Sequence, residues 1–245
     1  MIVGFVGSGS MAAAIARGWA GEFEWMLFSD SGSGRARELA EEMGGEAASN
    51  AEIGRRADLV VVAVKPAALD DVATDLSAAR QVVSILAAVP VARLRKAFPR
   101  ADVLRVMPNV GVEVRNGVLC VAGEASDEVR RKLDVLGHVV EIPDADFDAA
   151  TAVMGCAPAY LALAVEAIAE AGAEDGLDPE LARELVVETT AGTAELLRVR
   201  HPADVRKAVA SPGGSTEAGL EALDREGARA AFAAAVQASL ERMRG

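Results

Sequence analysis

A chain of 245 residues is long enough for one large domain or two smaller ones around a sizeable core. Hydrophobic residues make up 51% and charged residues 25%, which excludes a disordered chain. The formal net charge of −12 argues against a nucleic acid or an anionic membrane as partner, so an anionic ligand must be held by local donors.

Cys120 and Cys156 lie far apart and show no metal-ligand spacing. The apolar start at Ile2 is too short, and lacks the basic flank, for a secretory signal. Both features point to an intracellular, cytoplasmic protein.

Residues 2–6 form a short apolar run that predicts one buried strand, and an alanine-rich helix is expected from Ser10 onward. Between them, Gly7, Gly9 and Ala12 have the G-x-G-x-x-A spacing of a dinucleotide-binding turn. Gly7 permits the tight turn, Gly9 lets backbone approach a pyrophosphate, and Ala12 lets helix and strand pack closely. The free N–H groups at the helix start then face the phosphates.

Residues 24–29 predict a second strand, ending at Asp30, and residues 31–34 a flexible turn before a helix over 35–43. Asp30 follows Ala12 by 18 positions, close to where a carboxylate takes the adenosine ribose hydroxyls of NAD and repels the 2′-phosphate of NADP. Ser31, Ser33 and Arg35 lie just downstream and offer donors to a phosphate, so NAD(H) and NADP(H) both stay open. A turn cap is the plainer role for Asp30.

Residues 59–64 (LVVVAV) are a continuous apolar run without alternation, as expected of a strand buried on both faces of a parallel sheet. Residues 82–86 and 103–107 repeat the pattern, with helices expected over 67–77 and 91–98. Residues 118–122 and 139–142 are expected to extend the sheet around a helix over 126–136. Alternation of this kind predicts a doubly wound Rossmann sheet over residues 1–147. Val64, Lys65 and Pro66 close a strand beside the first one, where loops line a cofactor cleft, and Met107, Pro108 and Asn109 close a later strand beneath the nicotinamide.

Beyond Asp144 only helical patterns remain, which makes residues 148–245 an all-helical domain. The 17 residues 149–165 carry no charge. They fall short of the roughly 20 a membrane span needs, and Pro158 is expected to interrupt them. A helix apolar on all sides is a buried one, and the short C-terminal segment has too little of its own to wrap it. A second subunit is expected to cover it. Helices follow over 179–199, 202–210 and 216–244, the last broken near Gly227.

Residues 211–216 (SPGGST) lie between two of these helices. They offer unblocked backbone N–H groups and three hydroxyls, a good receptor for a carboxylate at a helix start, although an ordinary capped turn reads the same way. The long apolar helix carries no His or Lys, the usual base for alcohol oxidation. Reduction of a C=N bond needs less, because an iminium arrives already protonated. The inventory favours imine reduction.

Taken together, these stretches resemble the pyrroline-5-carboxylate reductase family. The matching segments are FVGSGSMAAAIARG from Phe5, VAVKP from Val62, SILAAV from Ser84, RVMPN from Arg105, APAY from Ala157 and HPADVRKAVASPGGSTEAGL from His201. The resemblance implies NAD(P)H-dependent reduction of a cyclic imine carboxylate in a homodimer whose helical domains interlock. It implies that Ser8, Ser10 and Met11 line the pyrophosphate and that Asn50 reaches the adenosine ribose. Val64, Lys65 and Pro66 then flank the cofactor, with Ala87 and Ala88 by the nicotinamide. Ser211, Gly213, Gly214, Ser215 and Thr216 receive the substrate carboxylate, and Thr216 lies near the imine nitrogen.

Three departures stand out. Val110-Gly111 replaces the family's usual Thr-Pro after Asn109, Met154-Gly155-Cys156-Ala157 replaces Ser-Gly-Ser-Gly before Pro158, and Asp30-Ser31 replaces a common Asn-Arg pair. They keep two alternatives in view: a reductase of another cyclic imine, and a cofactor-binding homologue without catalysis.

Overall fold

The computed structural model describes residues 1–244. The apolar runs of the first half become strands β1 (Ile2–Val6), β2 (Trp25–Ser29), β3 (Glu46–Ala47), β4 (Leu59–Val62), β5 (Gln81–Ser84), β6 (Asp102–Pro108), β7 (Gly117–Gly123) and β8 (Gly137–Glu141). Between them run helices α1 (Ser10–Gly18), α2 (Arg35–Met43), α3 (Asn50–Arg56), α4 (Leu69–Asp75), α5 (Val91–Ala97) and α6 (Asp127–Asp134). The strands make one sheet in the order β3-β2-β1-β4-β5-β6-β7-β8. β4 is buried at all four positions, as its unbroken apolar run demands.

Order reverses between β1 and β4, which pair in parallel with Val6 opposite Val62. Val62 in turn lies opposite Ser84, so the loops after β1, β4 and β5 leave the same edge of the sheet. Ligands of open α/β sheets bind at such a point. Among the described residues the one antiparallel pair is β6 with β7. Only residues 109–116 join them, too few for a crossover helix, which takes about a dozen residues or more.

Core side chains fill both faces of the sheet. Phe5, Ile15, Trp19 and Phe28 pack on the face covered by α1 and α2, and Ile53, Val60, Leu76 and Leu94 on the face covered by α3, α4 and α5. The strand β3 and helix α3 lie where no element is expected from the apolar pattern. A capping box starts α3: Ser49 Oγ accepts from the Glu52 N–H, and the Glu52 carboxylate accepts from the Ser49 N–H. Ser49→Ala should therefore cost about 1 kcal/mol, read as a lower thermal midpoint.

The chain divides into two compact units, one of Met1–Cys156 with the segment from Leu240 on, the other of Ala157–Ser239. The second is helical, with α8 (Ala157–Glu174), α9 (Pro179–Val199), α10 (Pro202–Val209), α11 (Ser215–Arg225) and most of α12 (Ala228–Arg244). The short helix α7 (Phe147–Ala150) and a π turn over Thr151–Gly155 lead into α8.

Pro158 lies in the first turn of α8, just past the bend at Cys156, so the apolar stretch is divided there as the sequence predicts. The π turn ends on the Cys156 N–H, which donates five residues back to the Thr151 carbonyl at 3.1 Å. Pro158 has no N–H for the Met154 carbonyl, and the Asn109 side-chain amide donates to that oxygen instead, at 3.2 Å. The resulting stretch Asp144–Glu174 is long and apolar enough, by length and composition, to cross a membrane, a correction to the shorter span read from sequence. Within one chain it is left uncovered, as the sequence implies: Leu161, Leu163 and Ile168 are 58%, 64% and 60% exposed.

Candidate active site

The two glycines after β1 differ in what they require. Gly7 has φ +98°, and a Cβ there would lie 2.6 Å from the Ala63 carbonyl oxygen. Its N–H donates to the Ser29 carbonyl at 3.1 Å, so β1, β2 and β4 meet at this residue. Gly9 has φ −80°, open to any residue, and a Cβ there would meet nothing within 4 Å. The fold needs Gly7; nothing in the fold needs Gly9.

Gly9 is also the N-cap of α1, and a glycine supplies no side-chain cap. No acidic residue occupies the first helical turn, so the amide donors of Ser10, Met11 and Ala12 are open to an anion. A cleft of about 500 Å³ opens over them, lined by Ser8, Gly9, Ser10 and Val110 with Arg35 and Glu38, and by Arg17 where it pairs with Glu42 and Glu113. Ser8 points inward, its hydroxyl donating to the Ser29 carbonyl at 3.0 Å, which leaves its backbone N–H as its donor to a ligand. The donor set and the empty space over Gly9 fit a dinucleotide pyrophosphate.

At the end of β2 the Asp30 carboxylate accepts three hydrogen bonds from its own loop. The donors are the Gly32 N–H at 2.7 Å, the Ser33 hydroxyl at 2.9 Å and the Ala36 N–H at 2.9 Å. Those bonds, the Ala36 amide first, hold its pKa below the usual carboxylate range. Asn50 sits beside it, taking the Ser29 hydroxyl on its carbonyl at 2.7 Å and donating its amide to Asp75 at 3.1 Å. Buried Ser29 thus links Asn50, Ser8 and Gly7, a role with no sequence signal beyond a polar residue closing an apolar strand.

Val64 is half-buried, and Lys65 and Pro66 are exposed on the loop after β4. Ala87 and Ala88 form an exposed turn after β5, where Ala88 takes a left-handed φ of +57°. Asn109 is committed to the fold: its carbonyl accepts from the Gly111 and Val118 N–H groups while its amide holds Met154.

Residues 211–216 lie in the helical unit and are mostly exposed. The Gly214 N–H closes the loop on the Ser211 carbonyl at 2.9 Å, and Gly213 takes φ +70°. Gly214 is the N-cap of α11, again without a side-chain cap. The Glu217 carboxylate accepts from the Gly213 N–H at 2.7 Å, so this bend already holds one carboxylate. Two candidate acids or bases of this unit, Tyr160 and His201, are engaged. The Tyr160 hydroxyl bonds Ser239 at 2.6 Å, and His201 Nδ1 accepts from the Ala203 N–H as the N-cap of α10.

Comparison with known proteins finds the same two parts. Residues 144–245 match the family described as pyrroline-5-carboxylate reductase dimerisation, and residues 2–88 the family described as NADP oxidoreductase coenzyme F420-dependent. The pyrroline-5-carboxylate reductase of Thermus thermophilus is 38% identical over 99% of this chain and 97% of its own length. This chain belongs to the pyrroline-5-carboxylate reductase family. The Synechocystis reductase is 37% identical, over 79% of this chain and 76% of its own. Among solved structures, the Streptococcus pyogenes reductase superposes with a TM-score of 0.90 at 31% identity, covering 99% of this chain and 98% of its own. The Plasmodium falciparum enzyme, solved with NADP bound, gives 0.85 at 26%, covering 99% and 97%.

Within this reductase chain two of the three departures from the family pattern, at Val110 and at Met154–Cys156, are joined through Asn109. Val110 is exposed beside the Gly9 cleft, while Met154 and Cys156 are partly buried in the π turn and its end. Asn109 joins the two places through its bond to the Met154 carbonyl.

Proposed function

We propose that this chain reduces 1-pyrroline-5-carboxylate to L-proline, the last step of proline biosynthesis, with NADPH or NADH as the hydride source. The observation that carries the reading is a pair of uncapped helix starts, α1 behind Gly9 and α11 behind Gly214, each presenting amide donors to an anion. One suits a dinucleotide pyrophosphate, the other a substrate carboxylate, in a chain whose net charge of −12 otherwise repels both.

When bound, the nicotinamide supplies the hydride. The chain binds and orients. Gly7 shapes the turn, and Ser8, Gly9, Ser10 and Met11 give the pyrophosphate its backbone donors. Asp30, Ser31 and Asn50 face the adenosine ribose. Val64, Lys65, Pro66, Ala87, Ala88 and Asn109 border the cofactor toward the nicotinamide. The substrate carboxylate displaces Glu217 from Gly213 and takes the N–H groups of Gly213, Gly214, Ser215 and Thr216 with the Ser211 hydroxyl. Thr216 then holds the imine nitrogen or passes it a proton. An imine that arrives protonated needs no further acid, consistent with Tyr160 and His201 being engaged elsewhere.

The exposed apolar side of α8 and the dimerisation-family match support a homodimer in which α8 is covered by its partner. The same reading puts the enzyme in the cytoplasm, with Cys120 and Cys156 unpaired.

The decisive assay follows NADH and NADPH oxidation with pyrroline-5-carboxylate, a larger cyclic imine and a 3-hydroxy acid. Turnover of the five-membered imine above the others is expected. Preference for the larger imine would favour the second reading, which rests on the apolar Val110, Met154 and Cys156. Cofactor binding with no turnover of any substrate would make the chain a non-catalytic homologue. Thr216→Ala should lower kcat by about tenfold or more and leave the cofactor Kd unchanged. Unchanged kinetics would remove Thr216 from the mechanism.

A further inference from the structure

We infer that Asp144, itself fixed by the buried Arg105, is a positioning residue for the hydride step, clamping the turn after β5 so that Ala87 and Ala88 hold the nicotinamide in place. The inference rests on the placement of those two alanines beside the nicotinamide proposed above.

The turn takes residues 86–89 and leads from β5 into α5. It leaves the sheet on the edge shared by the loops after β1 and β4, where strand order reverses. Leu86 and Val89 are buried in the core beneath it, while Ala87 and Ala88 stand exposed at its tip. Ala88 is the third residue of this turn and takes φ +57°, a conformation for which glycine is the ordinary choice. A residue with a Cβ stays in that region only where its surroundings impose it, and residues held so gather at working sites.

The restraint comes from both ends. At the near end the Ile85 N–H donates to the Val62 carbonyl of β4 at 3.0 Å. At the far end the Val91 N–H, the first amide of α5, has no helical acceptor and donates to Asp144 Oδ2 at 3.0 Å. Asp144 lies 53 residues further along the chain and is gripped by Arg105 of β6, whose Nη1 donates to its Oδ1 and its main-chain carbonyl. Arg105 stands opposite Ser84, the last residue of β5, so clamp and turn share one end of one strand pair. An ion pair built on a buried cation adds little to stability, because desolvation offsets the attraction, and here Arg105 Nε is left without a partner. A carboxylate free in solvent would cap α5 as well. The buried guanidinium, seated on the Phe147 ring, holds that carboxylate in one place.

Two substitutions cut the clamp at different cost to the fold. Asp144→Ala removes it and strands Arg105. Val91→Pro removes only the N–H, at a helix position where proline is at ease, and leaves Arg105 paired, so it should melt above Asp144→Ala. Single-turnover oxidation of NADH and NADPH by saturating pyrroline-5-carboxylate gives the first readout. Unfolded protein lowers the amplitude of the decay, whereas a displaced nicotinamide lowers its rate constant. Both variants should lose about tenfold or more in rate constant, despite their different stabilities. The second readout needs no substrate: calorimetry compares each dinucleotide with ADP-ribose or its 2′-phosphate, which lack the nicotinamide. Both variants should weaken the dinucleotide about threefold or more relative to the fragment, a ratio that does not depend on the fraction folded. Val91→Pro at the wild-type rate constant overturns the inference, and so does an affinity ratio that neither variant moves. A wild-type protein that binds dinucleotide but shows no decay with this imine fails the functional reading instead, and the affinity ratio then decides the clamp.

Discussion

Replacing Gly9 by valine is expected to abolish dinucleotide binding and leave the fold untouched. The two halves of that result come from separate facts. The backbone at Gly9 is at φ −80°, where any residue is at ease, and the added side chain meets no protein atom within 4 Å of its Cβ. Folding free energy should fall by about 1 kcal/mol or less, the cost of exchanging glycine for valine at the N-cap of α1. The side chain instead fills the space over the first turn of α1, where the pyrophosphate must come within hydrogen-bond distance of backbone. Loss of those bonds, charge-assisted and worth roughly 1.5–3 kcal/mol each, should weaken cofactor binding by more than about a hundredfold. Gly7→Ala is the control with the opposite signature. Its φ of +98° and the Ala63 oxygen at 2.6 Å should cost about 2–4 kcal/mol of stability whether or not ligand is present. A Gly9→Val protein that melts like wild type and still titrates with NADH or NADPH would show that the cleft over α1 is not the cofactor site.

That contrast marks how far the sequence could be read. Spacing alone gave both glycines a reason, but only coordinates separate the one that serves the fold from the one that serves a ligand. The unbroken apolar run 59–64 and its repeats were enough for a sheet covered on both faces, and Gly34 and Gly44 bracket α2 at the residues expected. The antiparallel turn from β6 to β7 was legible in principle from the short 109–116 connection, and α3 from the Ser49–Glu52 capping box. Others were not legible. Asn109 is bound to Met154, 45 residues away, because Pro158 leaves that carbonyl without its helical donor. Nothing local to Asn109 announces this. The hydrogen bonds on Asp30 need three donors from the following turn to converge, which spacing permits but does not require.

Asp144→Ala is expected to destabilise the chain strongly, and to cost more than removal of its partner, Arg105. Arg105, on β6, is 4% exposed and donates through Nη1 to Asp144 Oδ1 at 2.8 Å, with its guanidinium 4.1 Å over the Phe147 ring. Its Nε is buried without a partner. The other Asp144 oxygen caps α5 by accepting from the Val91 N–H at 3.0 Å. Alanine at 144 strands a buried cation and uncaps α5 together, for about 3 kcal/mol, the low end for a broken buried pair because Asp144 itself is 31% exposed. At about 2–4 °C per kcal/mol in a chain of this size, the midpoint should fall by about 6–12 °C. Arg105→Met keeps much of the volume and leaves a carboxylate that water can reach and that still holds Val91, so it should cost about 1 kcal/mol or less. The sign of the difference is the test. A chain in which Arg105→Met melts below Asp144→Ala would locate the stabilisation in the guanidinium and Phe147 contact rather than in the satisfaction of a buried charge.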